Sequence, residues 1–103
     1  MDVQLKKGIL DVCVLFALSR GESYGYKIIS DLDGIIEISE STLYPILKRL
    51  ESNGYITART AEYSGRLRRY YKITPPGLKK LKSGKDDLQE INSIYRAIFG
   101  GRI

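Results

Sequence analysis

Residues 39–74 constrain this chain more than any other stretch, because the apolar spacing changes period across Asn53-Gly54. Before that dipeptide, Leu43, Ile46, Leu47 and Leu50 recur at helical intervals and share one face at ~100° per residue. Ser41, Pro45, Lys48 and Ser52 fall opposite, with Thr42, Tyr44 and Arg49 on the flanks. Ser39 can cap the start and Asn53-Gly54 can stop the end, so a helix is predicted over 39–53. Pro45 conflicts with it: beyond the first turn it removes a backbone hydrogen bond and should bend the helix. After the stop, Tyr55 to Thr60 is rich in β-formers, and Tyr63-Ser64-Gly65-Arg66 supplies a turn. The return strand, Leu67 to Thr74, alternates: Leu67, Arg69, Tyr71 and Ile73 on one face, Arg68, Tyr70 and Lys72 on the other.

The flanks are helical. Leu5, Ile9, Val12/Cys13 and Phe16 predict a helix over 5–19, apolar on most sides from Val12 onward. After the Arg20-Gly21-Glu22 turn, Ser23 can cap a second helix over 24–32 with Ile28, Ile29 and Leu32 inward. Asp33-Gly34 ends it, and Ile35, Ile36 and Ile38 follow as a short apolar stretch suited to one brief strand. Thr74 and Pro75-Pro76-Gly77 open a last helix that runs to Phe99, where Gly100-Gly101 stops it. Leu81, Leu88, Ile91, Tyr95 and Ile98 form its apolar seam, with Gly84 as the one gap. Little of so small a domain is left to cover this helix, so a second copy of the chain is the simplest partner; the alternative folds it back on the first helix.

The order helix, helix, helix, hairpin, helix gives the fold class: mainly α with a small β-hairpin wing, a winged helix-turn-helix plus a long C-terminal dimerisation helix. Residues 1–75 form the winged unit and 76–103 the dimerisation helix and tail of one structural domain.

Composition removes competing functions. With no His and one Cys in 103 residues, a His/Cys metal site, an internal disulfide and a His-activated nucleophile are excluded. Cys13 reads as a small buried hydrophobe among Val12, Val14 and Leu15. The acidic pairs Asp86-Asp87 and Asp31/Asp33 sit at helix ends or turns, where capping and solvation explain them, so no enzyme and no cofactor is expected. No apolar run reaches the ~20 residues of a membrane span. Asp2 and Asp11 interrupt the only segment resembling a signal peptide, so a cytoplasmic protein is expected.

The net charge of +5 is unevenly placed: residues 1–39 carry four bases and six acids, residues 40–75 seven bases and three acids. The tightest cluster is RLRRYYK, 66–72. A basic cluster beside a helix with an apolar back and a small-polar front is the electrostatic footprint of a double-stranded DNA binder. Hydroxyls reach base edges or phosphates, and Arg and Lys neutralise phosphate. The competing reading is a winged helix used for protein–protein contact without specific DNA binding.

The strings SYGYKI (23–28), STLYPILKRLESNGYI (41–56) and GRLRRYYKIT (65–74) resemble the signatures of PadR-type transcriptional regulators. The resemblance runs from the first helix to the last and fits the small members without an additional C-terminal domain. It implies a homodimeric repressor joined through the last helix with help from the first, at Leu5, Ile9, Leu81, Leu88, Ile91, Tyr95 and Ile98. It places TLYP in the recognition helix, which accommodates Pro45, and Tyr24 and Tyr26 near the DNA backbone. The DNA-binding candidates are therefore Tyr24, Tyr26, Ser41, Thr42, Tyr44, Lys48, Arg49, Arg66, Arg68, Arg69 and Lys72. For Ser41 and Thr42 the competing role is capping, for Arg69 pairing with an acid. Similar small members stack planar drugs on a tryptophan between the last helices. This chain has no Trp, and Leu88 takes that position. An apolar site for a small inducer, lined by Leu88, Ile91 and Tyr95, is what the resemblance leaves.

Overall fold

The computed structural model describes residues 1–100. Its order is α1 (Val3–Ser19), α2 (Gly25–Leu32), α3 (Glu40–Ser52), β1 (Ile56–Tyr63), β2 (Arg66–Ile73) and α4 (Pro75–Ile98). This is the expected winged helix-turn-helix with a long last helix. Gly101 and the rest of the tail lie outside the described residues.

Caps define the helices. Asp2 accepts from the Leu5 amide, Ser39 from that of Thr42, and Thr74 from that of Gly77, each satisfying a donor that the helix leaves open. Thr74 also donates to the Gly54 carbonyl at 2.7 Å, which fixes the start of α4 to the end of α3. Ser23 is not the cap of α2. Tyr24 takes that position with no side-chain cap, and Ser23 is buried and bridged to β2 instead. The Ser23 amide donates to Tyr71 O at 3.0 Å, and the Tyr71 amide donates to Ser23 O at 2.7 Å. Backbone pairing to a sheet edge outweighs one capping bond here. The brief strand expected at 35–38 does not form: the Ile35 and Ile36 amides both donate to Leu32 O, closing the turn after α2. Ile38 is buried in the core while Ile35 is exposed.

Leu10, Val14, Leu15 and Leu18 of α1 meet Ile28 and Leu32 of α2 and Leu43, Ile46, Leu47 and Leu50 of α3, with Ile56 and Tyr71 closing the core from the hairpin. The α3 stripe is the one read from the sequence, and the helix passes through Pro45 unbroken. The hairpin pairs Ile56 with Ile73 through Tyr63 with Arg66. Its two-residue turn, Ser64-Gly65, holds both residues at positive φ, 51° and 79°, which matches the twist of the flanking strands.

The last helix both packs on α1 and projects from it. Gly84 is buried where α4 crosses α1, and a Cβ there would collide with the side chain of Val12. The gap in the seam is therefore the crossing point. Leu81 packs against the chain's own core rather than standing clear as seam. Leu88, Ile91, Ile94, Tyr95, Ile98 and Phe99 are exposed. At 1.5 Å per residue α4 is about 36 Å long. Its projection accounts for the 59 × 25 × 22 Å outline. No helix among the described residues is long and apolar enough to cross a membrane.

Candidate nucleic-acid interface

The apolar stripe of α3 turns its other side outward, leaving Ser41, Thr42, Tyr44, Pro45, Lys48 and Ser52 exposed. The Ser41 and Thr42 hydroxyls sit in a small network at the cap, 3.0 and 3.1 Å from Ser39 Oγ. Tyr44 lies across Gly25, where a Cβ would come within 2.9 Å of Tyr44 Cζ. A glycine at the start of α2 thus lets the hydroxyl end of the ring come against it, so Tyr44 both pins α3 to α2 and keeps 46% of its surface open. Lys48 makes no ion pair among the described residues. Arg49 is turned away from this face: it is half-buried and paired with Asp11 of α1. It ties α3 to α1, a pairing that competes with the DNA contact expected of it and that spacing within α3 alone cannot reveal.

The hairpin register divides the basic cluster. Arg59, Tyr63, Arg66, Arg68, Tyr70 and Lys72 share one face. Arg69 is on the other, where it reaches Glu51 at the end of α3 at 3.3 Å, the acid pairing that competed with DNA contact. On the first face, the Arg68 guanidinium lies 3.9 Å from the ring centroids of both Tyr24 and Tyr63. Arg59 grips Glu22 with two hydrogen bonds, 2.8 and 2.6 Å, and lies over Tyr70. That grip holds the Glu22 carboxyl below its ordinary pKa, chiefly through the hydrogen bond. Burial pushes the Tyr71 hydroxyl up, against the pull of Arg69. Tyr26 is exposed beside Ile29 and Ile36, over the α2–α3 connection and outside this cluster.

Glu22, Arg59 and Tyr63 were not anticipated as part of this face. The signal for two of them was the Ser64-Gly65 turn, which sets Arg59 opposite Tyr70 and Tyr63 opposite Arg66. Glu22 arrives through the fold of the α1–α2 turn and has no local signature.

Two grooves flank α4. One, of about 240 Å³, runs between α1 and α4 past Leu5, Ile9, Asp11, Leu88 and Ile91. The other, about 680 Å³ and more apolar, is lined by Phe16, Ile35, Leu78, Leu81 and Leu88. Tyr95 lines neither; it lies further along α4 against Phe99. Of the three residues expected around an inducer, Leu88 and Ile91 thus line a groove of the single chain and Tyr95 does not.

Residues 14–83, most of the chain and all of the helix–helix–hairpin unit, match the sequence model of the transcriptional regulator PadR-like family. The chain belongs to the PadR-like family. Among solved structures, a transcriptional regulator from Clostridium thermocellum superposes with a TM-score of 0.84 at 33% identity, over 93% of this chain and 98% of that one. Bacillus subtilis PadR, solved in complex with operator DNA, superposes at 0.67 with 30% identity, over 73% of this chain and 45% of its own. The transcriptional regulator Rv3488 of Mycobacterium tuberculosis is 37% identical over 65 residues, 63% of this chain; the matched stretch spans 58% of Rv3488. The PadR-like unit is thus shared with regulators longer than this chain.

Proposed function

We propose that this PadR-like chain is a homodimeric transcriptional repressor that binds a pseudo-palindromic operator in double-stranded DNA. The observation that carries the proposal is the juxtaposition of two surfaces. α3 offers Ser41, Thr42, Tyr44 and Lys48 on an exposed polar face, and the wing beside it offers Arg66, Arg68 and Lys72 with no carboxylate at ion-pair distance among the described residues. The major groove admits one helix, and cations on a wing suit the flanking phosphates. A protein-docking role for α3 calls for an apolar outer face, and this one is polar. No catalytic activity is part of the proposal.

The exposed far half of α4, with Leu5 and Ile9 of α1, is the surface through which two copies would join. Two recognition helices related by a dyad read half-sites about 34–36 Å apart. The groove beside Leu88 and Ile91 offers a small apolar inducer a place where it would alter that joint.

The test is selection of random duplexes by the purified protein at about 150 mM salt, where non-specific phosphate binding is weakened. An enriched palindrome is expected. Recovery of random sequences with weak retention would refute the proposal. Lys48→Ala and Arg68→Ala, each present twice in the pair, should each flatten the slope of log affinity against log salt by about 1.8.

A further inference from the structure

Arg68 has the most defined surroundings of the wing cations. Its guanidinium lies 3.9 Å from two ring centroids, Tyr24 at the cap of α2 and Tyr63 at the end of β1. A planar guanidinium at that distance from two rings lies between their faces. The stack does not consume the N–H donors, which lie in the guanidinium plane and point outward from its rim. Among the described residues no acceptor takes a hydrogen bond from that rim. The stack is braced from behind. Tyr70 meets Tyr24 edge-on at 5.8 Å and 78°, Arg59 covers Tyr70 at 4.8 Å, and Glu22 holds Arg59 at Nε and Nη2.

We infer that Tyr24 and Tyr63 are positioning residues that hold the rim of Arg68 toward a backbone phosphate of the bound duplex, an assignment that rests on the DNA-binding function proposed above. The rim of a guanidinium matches two phosphate oxygens at once. Arginine ordinarily loses rotamer freedom when such a contact forms. Here the rings have ordered it beforehand, so less affinity is lost on binding. The family resemblance placed Tyr24 near the DNA backbone; the stack gives its ring face, rather than its hydroxyl, the work. Tyr63 had no assigned role.

The experiment is a set of binding titrations on a selected duplex. Arg68→Ala, Tyr24→Ala and Tyr63→Ala should each weaken binding about tenfold per half-site, the scale of one desolvated cation–aromatic contact or one phosphate contact. Tyr24→Phe and Tyr63→Phe keep the rings and should bind within about twofold of the wild type. Tyr24→Ala should cost nothing further once Arg68 is alanine. Arg68→Lys, which keeps the charge but not the plane, should bind like Arg68→Ala. Equal losses for Tyr24→Phe and Tyr24→Ala, additive losses with Arg68→Ala, or full binding by Arg68→Lys would overturn the assignment. The ring-current shift of the Arg68 side-chain resonances, measured without DNA, reports the stack itself in the wild type and the two phenylalanine variants, and far-ultraviolet circular dichroism checks that each variant is folded. A wild type with that shift intact but no affinity for any duplex overturns the DNA-binding function, and this role with it.

Discussion

Gly84→Ala is expected to destabilise the protein, although alanine is the better helix former. Replacing an interior helical glycine by alanine gains about 0.8–1.0 kcal/mol from propensity. Against that stands the crossing with α1. A Cβ on Gly84 collides with Val12 Cγ2 and lies 3.4 Å from both Val12 Cβ and Cγ1. Valine in a helix is locked in one rotamer about 90% of the time, so the methyl cannot swing aside and the helices must separate. Overpacking of this kind costs about 1–3 kcal/mol. The net is a loss centred near about 1 kcal/mol, or about 4–8 °C in Tm for a domain of this size. In a Val12→Ala background the collision is gone, and the same substitution should stabilise by about 1 kcal/mol. The two sites should therefore couple by about 2 kcal/mol. Urea unfolding followed by far-ultraviolet circular dichroism, at one fixed protomer concentration, measures all four corners of the cycle. If Gly84→Ala stabilises equally in both backgrounds, the close crossing of α1 and α4 is refuted.

The remaining predictions concern buried polar groups and ion pairs. Ser23 is 2% exposed and its Oγ finds no partner, so Ser23→Ala should leave stability unchanged or raise it by about 1 kcal/mol; a loss above that in thermal unfolding would expose a hidden hydrogen bond. Arg49→Ala should destabilise more than Asp11/Arg49 replaced together by Ala, because the single change strands a half-buried carboxylate; equal losses would remove the pair from the packing of α1 on α3. The Glu22 carboxyl is held below 4.5 by Arg59, so its contribution is present above pH 4.5 and lost as pH falls through the lower folded value; Glu22→Gln should remove that part of the acid limb in pH-dependent unfolding. Tyr71 is raised above 10.0 by burial, so the neutral phenol favours folding below that pH and the contribution is lost as pH climbs through the higher folded value; Tyr71→Phe should flatten the alkaline limb.

The architecture was legible because the change of period at Asn53-Gly54 fixes a helix–hairpin junction, and caps such as Ser39 and Thr74 act within three residues of themselves. The outer face of α3 was legible for the same reason: once Leu43, Ile46, Leu47 and Leu50 are inward, the rest must point out. What the sequence concealed was pairing across distance. Asp11 and Arg49 are 38 residues apart, and Glu22 and Arg59 are 37 apart. Helical or strand period says nothing about such partners, so Arg49 read as an open cation when it is occupied. Ser23 illustrates the opposite error, a good local cap overridden by a sheet edge that arrives from the far end of the domain.

Asp11 and Val12 are consecutive on α1, one tied to α3 and the other resting on Gly84 of α4. The tether and the fulcrum are therefore about 1.5 Å apart along the helix. From Gly84 to Ile98 the lever arm is about 21 Å, so a tilt of about 10° at the fulcrum sweeps its end by about 4 Å. That is close to the ~3.4 Å rise of one base pair. In the proposed pair, joined at the lever ends, an angle set at one glycine becomes a register of the two α3 surfaces along the duplex. Operator spacing in such a regulator can drift by a base pair through a change at the crossing, with no residue on the DNA-facing side altered.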